Sequence, residues 1–260
     1  MLGKLFQKKD NAEAPAGKRI YAIGDIHGCL EELNTLLEKI QDDNNAANLA
    51  APVFETNESN HSQRTPRLIF LGDYVDRGPD SRGVIERLTT VKKYAPDTVF
   101  LKGNHEALML DYLSNPHETE HWLDWGGEET LKSYGVSPVI GRTNEDLAAT
   151  LKGNLPENHA SFLQSLDLMH LEGDYLFVHA GLRPGVALND QQEEDLLWVR
   201  KKFQKMNASD RPEQVIVHGH QPVEKPLDAG WRIDVDTGAC WSGRLTAVVL
   251  EGTSRRFLST

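Results

Sequence analysis

The sequence of 260 residues has few cysteines and a shortage of basic residues, and each shortage argues against a class of protein. Cys29 and Cys240 lie far apart with no C-x-x-C pair, which argues against a disulfide framework and favours a reducing compartment. Thr35 and Thr246, rather than arginines, stand six positions after them, so the sequence lacks the pattern of a cysteine-dependent phosphatase. Lys and Arg number 28 against 39 Asp and Glu, which gives a net charge of −11. With no basic stripe, binding to long nucleic acids is not expected.

Long apolar runs are also missing. No stretch approaches the roughly 18 apolar residues of a membrane span, and the apolar run at the N-terminus is too short for a signal peptide. We therefore expect a cytoplasmic protein with no transmembrane segment. The small and polar residues 1–17 predict a flexible tail, and residues 41–66, rich in Asn, Asp, Ala and Ser, predict a polar loop insertion. Residues 18–260 are expected to form one domain.

Within that domain, short apolar runs alternate with helical patterns, of which residues 81–94 are the clearest and residues 107–170 the longest. The predicted strands are Arg19–Ile23, Arg67–Leu71, Thr98–Leu101, Tyr175–Val178, Gln214–Val217, Trp231–Val235 and Leu245–Leu250. The last two flank glycine-containing turns and are predicted to pair as a closing hairpin. This α/β pattern predicts a largely parallel or mixed sheet flanked by helices, with ligands at the carboxyl ends of the strands.

Polar side chains follow five of these strands. They are Asp25 and His27, then Asp73, then Asn104 and His105, then His179, and finally His218 and His220. Each alone is readily explained as a turn residue, a helix cap or a hydrogen-bonded histidine. Their repetition at one edge of a sheet indicates a metal site instead. Carboxylate, amide and imidazole ligands suit Mn, Fe, Zn or Co better than Ca or Mg.

The number of candidates indicates more than one ion. Six side chains are too many for one tetrahedral ion and enough for two ions that share a carboxylate: Asp25, His27, Asp73, Asn104, His179 and His220. Such a pair can hold a hydroxide in line with a phosphorus atom. The pattern therefore predicts hydrolysis of a phosphoester.

Three longer motifs match a known family. Gly24–Gly28 (GDIHG), Gly72–Gly78 (GDYVDRG) and Gly103–Glu106 (GNHE) resemble the signature motifs of PPP-type phosphoprotein phosphatases, within the calcineurin-like metallophosphoesterase superfamily. His179–Gly181 and Gly219–His220 are similar to its later metal-ligand segments, and the resemblance covers about residues 19–250. It is nearest to the small bacterial and phage enzymes. The resemblance implies a metallophosphoesterase-type mixed β-sheet sandwich flanked by helices, with a dinuclear metal site at the C-terminal ends of strands.

The resemblance also implies a role for each motif residue. The first metal would be held by Asp25, His27 and Asp73, and the second by Asp73, Asn104, His179 and His220, with Asp73 as the bridge. Two divalent ions are implied, with Mn favoured and Fe, Zn or Co as alternatives.

Residues beside the metals are implied to handle the substrate. His105 would be the general acid, oriented by Asp76, while Arg77, Arg200 and Asn104 would bind the phosphate. Two further strand-end residues lie outside this scheme. His218 is expected to have a structural or supporting role, and Asp236 to form a turn or to orient an imidazole.

The favoured function is a serine/threonine protein phosphatase that could also accept phosphotyrosine, with a phosphoprotein or a small phosphoester as its substrate. The alternatives are a symmetrical diadenosine tetraphosphate hydrolase and a phosphodiesterase. Asp76 and Glu106 favour the phosphoprotein branch, because the symmetrical hydrolases tend to carry Ala and Asp at those two positions. A non-catalytic scaffold for protein binding is a remote alternative, since such a protein would be expected to have lost ligands or the acid.

Overall fold

The computed structural model describes residues 11–46, 66–137 and 141–260. Its strands are β1 (Arg19–Ile23), β2 (Pro66–Phe70), β3 (Val99–Phe100), β4 (Met169–Glu172), β5 (Tyr175–Val178), β6 (Val215–His218), β7 (Leu227–Asp228), β8 (Arg232–Asp234), β9 (Thr246–Glu251) and β10 (Ser254–Ser259). Its α-helices are α1 (Leu30–Ala46), α2 (Ser81–Tyr94), α3 (Asn104–Ser114), α4 (Glu128–Ser133), α5 (Asn144–Asn154), α6 (Glu157–Gln164), α7 (Glu193–Trp198), α8 (Lys201–Gln204) and α9 (Ala239–Ser242). Among these residues, no helix is both long and apolar enough to cross a membrane.

The strands form two five-stranded sheets. The first has the order β10-β9-β1-β2-β3, in which β1, β2 and β3 run parallel and β9 is antiparallel to both of its neighbours, β1 and β10. The second has the order β4-β5-β6-β8-β7, with β5, β6 and β8 parallel. The parallel strands of each sheet end together, so the loops that follow them lie side by side.

The two sheets pack face to face because their strands alternate between two apolar faces. Tyr175 and Phe177 of β5 lie in the same buried cluster as Ile20 and Ile69 of the first sheet. The intervening Leu176 and Val178 instead pack with α7 and α8. The outer face of the first sheet, including Tyr21 and Ile23, packs with α1 and α2. The predicted mixed sandwich flanked by helices is confirmed.

The predicted hairpin between Trp231–Val235 and Leu245–Leu250 is wrong. Strand β8 belongs to the second sheet, whereas β9 belongs to the first and pairs with β1 and β10. Helix α9 lies between β8 and β9 and carries the chain from one sheet to the other. The hairpin that closes the chain is formed by β9 and β10.

Within the described residues, parts of the predicted tail and of the predicted loop insertion are packed or helical. Ala12 and Ala14, inside the predicted tail, are buried, and the Tyr175 hydroxyl donates to the carbonyl of Ala12 at 3.1 Å. Helix α1 continues to Ala46, six residues into the predicted loop insertion. Residues 1–10 and 47–65 lie outside the described residues.

Candidate metal centre

The loops that follow the parallel strands of both sheets meet at one site. The first sheet contributes Asp25, His27, Asp73, Asn104 and His105, and the second contributes His179 and His220. All seven side chains are buried, with at most 8% of their surface exposed. The sequence predicts a site at the edge of one sheet, whereas in the structure the site lies where strands of two sheets end.

The carboxylate of Asp73 lies between two groups of candidate ligands. Its Oδ2 is 3.5 Å from His27 Nε2 and 4.0 Å from His105 Nε2, and its Oδ1 is 3.4 Å from His179 Nε2. On the side of His179, the Nε2 atom is 2.9 Å from Asn104 Oδ1 and 3.2 Å from His220 Nδ1. One carboxylate therefore has one oxygen directed to each group.

The orientation of the imidazoles shows whether this donor set fits a cation. Nδ1 of His27 is 3.0 Å from the carbonyl of Val75, and Nδ1 of His179 is 2.9 Å from that of Leu71. Nδ1–H is therefore the donor, and each Nε2 presents a lone pair to the site. Burial lowers the pKa of His27 to about 3 and also lowers the pKa of His179, which favours the neutral form of both rings. At His179, the Nε2 lone pair then faces an oxygen of Asp73 and the oxygen of Asn104 with no proton between them, an arrangement that a divalent cation would stabilise.

The carboxylates of the site are also crowded. Burial, followed by the charges of Asp236 and Asp73, raises the pKa of Asp25 well above its usual range. Burial acts in the same direction on Asp73, but the neighbouring imidazoles, His179 foremost, outweigh it and hold the pKa of Asp73 low. The Asp25 carboxylate accepts a hydrogen bond from the His220 backbone N–H at 3.0 Å. Among the described residues, two three-ligand groups lie close enough together to hold an ion: His27, Asp73 and His105, and Asp73, His179 and His220. Asp25 belongs to neither group.

His105 and Asp76 form a buried pair beside Asp73. His105 Nδ1 donates to Asp76 Oδ2 at 2.7 Å, and Trp122 Nε1 donates to the same oxygen at 2.8 Å. The Thr130 hydroxyl donates to the other oxygen, Oδ1, at 2.6 Å. Burial by itself lowers the pKa of His105, but the charge of Asp73 and the hydrogen bond to Asp76 outweigh it and raise that pKa. The Nε2 edge of His105 thus faces the site as a potential proton donor.

Two arginines stand at the mouth of the site. Arg77 Nη1 donates to His27 Nε2 at 2.6 Å, and Arg200 Nε donates to His220 Nε2 at 3.2 Å. Each guanidinium therefore already interacts with the lone pair of a candidate ligand. Both line a pocket of about 490 Å³, together with Asp124, Trp125, Gly126 and Trp241. Two cationic forks in one pocket suit a phosphate-bearing ligand.

The backbone of the site is strained. Five non-glycine residues have positive φ angles within the described residues, and all five are residues that the sequence singles out: His27 (48°), Asp73 (53°), Asp76 (73°), Arg77 (68°) and His220 (69°). Such conformations cost free energy and concentrate at functional sites. Close packing accompanies the strain, because a Cβ atom on Gly78 would overlap the carbonyl of His27.

Glu106 contributes to the site in a way that its motif alone does not reveal. Its buried carboxylate accepts from the backbone N–H groups of Asp73 (2.9 Å), Tyr74 (2.7 Å), Val75 (3.2 Å) and Gly103 (2.9 Å). Burial and the charge of Asp73 raise the pKa of Glu106 to about 7, against these four donors. Glu106 thereby ties the strained loop after β2 to the start of α3.

The two strand-end residues of uncertain role lie beside the centre. His218 Nε2 is 3.1 Å from Arg232 Nη1, and His218 belongs to neither three-ligand group among the described residues. Asp236 accepts from the backbone N–H of Gly238 at 2.9 Å, which is a turn contact.

Two tryptophans of the predicted helical region at residues 107–170 lie in different surroundings. Trp122 is buried against Asp76, whereas Trp125 lines the pocket.

Comparison with known proteins gives matches over most of the chain. The calcineurin-like phosphoesterase family matches residues 18–248. A protein of Bacillus thuringiensis (strain Al Hakam), named as the asymmetrical bis(5′-nucleosyl)-tetraphosphatase PrpE, is 27% identical over 87% of this chain and 88% of its own. A crystal structure provisionally named as a diadenosine tetraphosphatase has a TM-score of 0.60 at 20% identity and covers 95% of both chains. A cold-active protein tyrosine phosphatase has a TM-score of 0.56 at 18% identity, over 98% of this chain and 85% of its own. At these identities, the two structures show a shared fold.

Proposed function

Because the chain belongs to the calcineurin-like phosphoesterase family, we propose that this metallophosphoesterase hydrolyses nucleotide polyphosphates and cleaves a dinucleoside tetraphosphate asymmetrically. The observation that carries the reaction class is the position of Asp73, whose two oxygens face two groups of candidate ligands. The choice of substrate is supported by the name of the Bacillus relative. That name specifies asymmetrical cleavage, whereas the sequence raises the symmetrical reaction as its alternative.

The donor set fits two divalent ions. We propose that Asp25, His27 and Asp73 hold the first, and that Asp73, Asn104, His179 and His220 hold the second. When bound, such ions would activate water as a nucleophile and neutralise charge on the phosphoryl oxygens. The mixture of nitrogen and oxygen donors favours Mn, with Fe, Zn and Co as alternatives.

The remaining residues would orient the substrate and transfer a proton. Arg77 and Arg200 would bind the phosphate oxygens, because their guanidinium groups line one pocket. Asn104 would bind them as well, from its position among the candidate metal ligands. His105 Nε2 would donate a proton to the leaving oxygen, and Asp76 would keep the ring oriented through Nδ1. The non-catalytic scaffold has no support, since each of these side chains is present in the cluster.

A phosphoprotein phosphatase is the second candidate, and the His105–Asp76 pair favours it. The alkoxide released from a phosphoserine is a poor leaving group, so protonation by a positioned histidine accelerates its departure more than that of a phosphate. Phosphodiester hydrolysis, a cytoplasmic location and the lack of long nucleic-acid partners stay predictions from the sequence.

The test is a substrate panel with one Mn²⁺-loaded preparation and an Asp73→Asn variant as the inactive control. Diadenosine tetraphosphate is expected to give AMP and ATP in equal amounts, with a kcat/KM above that for phosphoserine, phosphothreonine and phosphotyrosine peptides. Formation of ADP alone would show symmetrical cleavage. Turnover of the peptides without turnover of the dinucleotide would replace this proposal with the second candidate.

A further inference from the structure

Exposed tryptophans are concentrated in the pocket over the metal centre. Trp241 is 65% exposed and Trp125 is 42% exposed, and both line the pocket with Arg77 and Arg200. Large aromatic side chains are usually buried, so two exposed rings in one polar pocket indicate a surface that a ligand covers. A pocket of about 490 Å³ has the size of a small-molecule site.

Trp241 lies beside both Arg77 and His27. It lies on the short helix α9, which crosses from β8 of the second sheet to β9 of the first. Its ring centroid is 5.0 Å from the Arg77 guanidinium carbon and 6.4 Å from the His27 ring centroid. Trp125 instead packs edge-on against Trp198 at 5.4 Å. An aromatic surface thus adjoins a phosphate-binding arginine and a candidate metal ligand.

We infer that Trp241 stacks on the nucleobase joined through one ribose to the phosphate that is hydrolysed. The inference rests on the proposed nucleotide substrate and adds a residue that recognises the base. Aromatic side chains stack on any base, because every base has a flat π face, and the nearby Arg77 cation can hold the attached phosphate. A phosphoserine or a simple alkyl phosphate offers no such group to this ring.

This placement also selects the cleavage position. With a base stacked on Trp241 and one ribose between that base and the phosphate, the first phosphate of the chain is the one that reaches the metal centre. Water then adds to this phosphorus, and the bond from it to the oxygen that bridges to the second phosphate breaks. The products are a nucleoside monophosphate and a nucleoside triphosphate, as asymmetrical cleavage requires.

The test compares two ligands that share a ribose and a phosphate and differ in the base. Calorimetric titration of the Mn²⁺-loaded protein with AMP and with ribose 5-phosphate is expected to show AMP binding about tenfold tighter or more. Trp241→Ala should bring the two affinities to within about threefold of each other. Tyr94→Ala is the matched control, since Tyr94 is 44% exposed and lies outside the pocket. It should keep the full preference for AMP.

Thermal unfolding monitored by circular dichroism separates a folding defect from lost stacking, and Trp241→Leu provides a second variant that keeps apolar bulk without the flat face. Equal binding of AMP and ribose 5-phosphate by the unmodified protein would overturn the inference. So would loss of the preference in Trp125→Ala but not in Trp241→Ala. A base preference that depends on Trp241 in a protein that does not hydrolyse diadenosine tetraphosphate would leave the stacking site standing and refute the proposed function. Asymmetrical hydrolysis by a protein that binds AMP and ribose 5-phosphate equally would support the proposed function and refute the stacking site.

Discussion

Two substitutions of Asp76 distinguish the effect of its charge from the effect of its hydrogen bonds. In Asp76→Asn, the amide oxygen takes the place of Oδ2 and still accepts from His105 Nδ1 and Trp122 Nε1. The amide NH₂ takes the place of Oδ1 and donates to Thr130 Oγ1, whose hydroxyl then donates to Ser81. Asn also tolerates the φ of 73°. The charge is lost and the second amide N–H is buried without an acceptor, so the expected decrease in the free energy of unfolding is about 1 to 3 kcal/mol.

Asp76→Ala removes the acceptor altogether. The N–H groups of His105 and Trp122 are then buried without a partner, at about 1 to 3 kcal/mol each, and alanine at positive φ adds about 1 to 2 kcal/mol. We therefore expect a loss of about 3 to 8 kcal/mol, which is enough to unfold a domain of ordinary stability.

Urea unfolding monitored by tryptophan fluorescence measures both losses, and turnover of Asp76→Asn measures the effect of the charge. Without the carboxylate, the pKa of His105 falls, so less of the imidazole carries the proton that it must donate. The folded variant should lose about tenfold or more in kcat on an alkyl phosphate and much less on nitrophenyl phosphate, which has a good leaving group. Equal losses on the two substrates would refute the acid role. If Asp76→Asn unfolds as readily as Asp76→Ala, the hydrogen-bond argument fails.

Three further outcomes follow from the same contacts. Asp73→Asn should release both ions, and elemental analysis that finds one ion still at full occupancy would contradict a shared carboxylate. Glu106→Ala leaves four buried N–H groups without an acceptor and should cost at least about 3 kcal/mol in urea unfolding, whereas Glu38→Gln, on the exposed face of α1, should change stability by less than about 0.5 kcal/mol. Chelation should lower the thermal midpoint, and Mn²⁺ should restore it; a midpoint indifferent to both would exclude stabilisation by bound ions.

Local patterns in the sequence predict much of the fold. The helix predicted at residues 81–94 matches α2, and Tyr175–Val178 matches β5, because a buried strand and an amphipathic helix each carry their own hydrophobic period. The convergence of Asp73 and Asn104 was also predictable, since β2 and β3 are parallel neighbours whose ends lie at one edge of a sheet. These inferences need only local period and strand direction.

Contacts between distant segments account for what the sequence does not predict. The alternation of side chains along β8 and β9 is the same whichever sheet each strand joins, so it does not predict that they belong to different sheets. The hydrogen bond from Trp122 to Asp76 joins residues 46 positions apart, and no periodicity in the sequence predicts it. The position of Trp241 beside Arg77 likewise depends on the crossover at α9.

The metal centre couples function to stability. Positive φ angles at five residues and several buried carboxylates raise the free energy of the folded state, while Glu106 offsets part of this through its four backbone contacts. An ion that binds only the folded chain stabilises it by about 2.7 kcal/mol at a hundred times its Kd. The ions that would activate water would therefore also hold together the loops that present the ligands. Loss of a ligand residue from those loops would therefore affect activity and folding together. A change in the core between the sheets would not have this double effect.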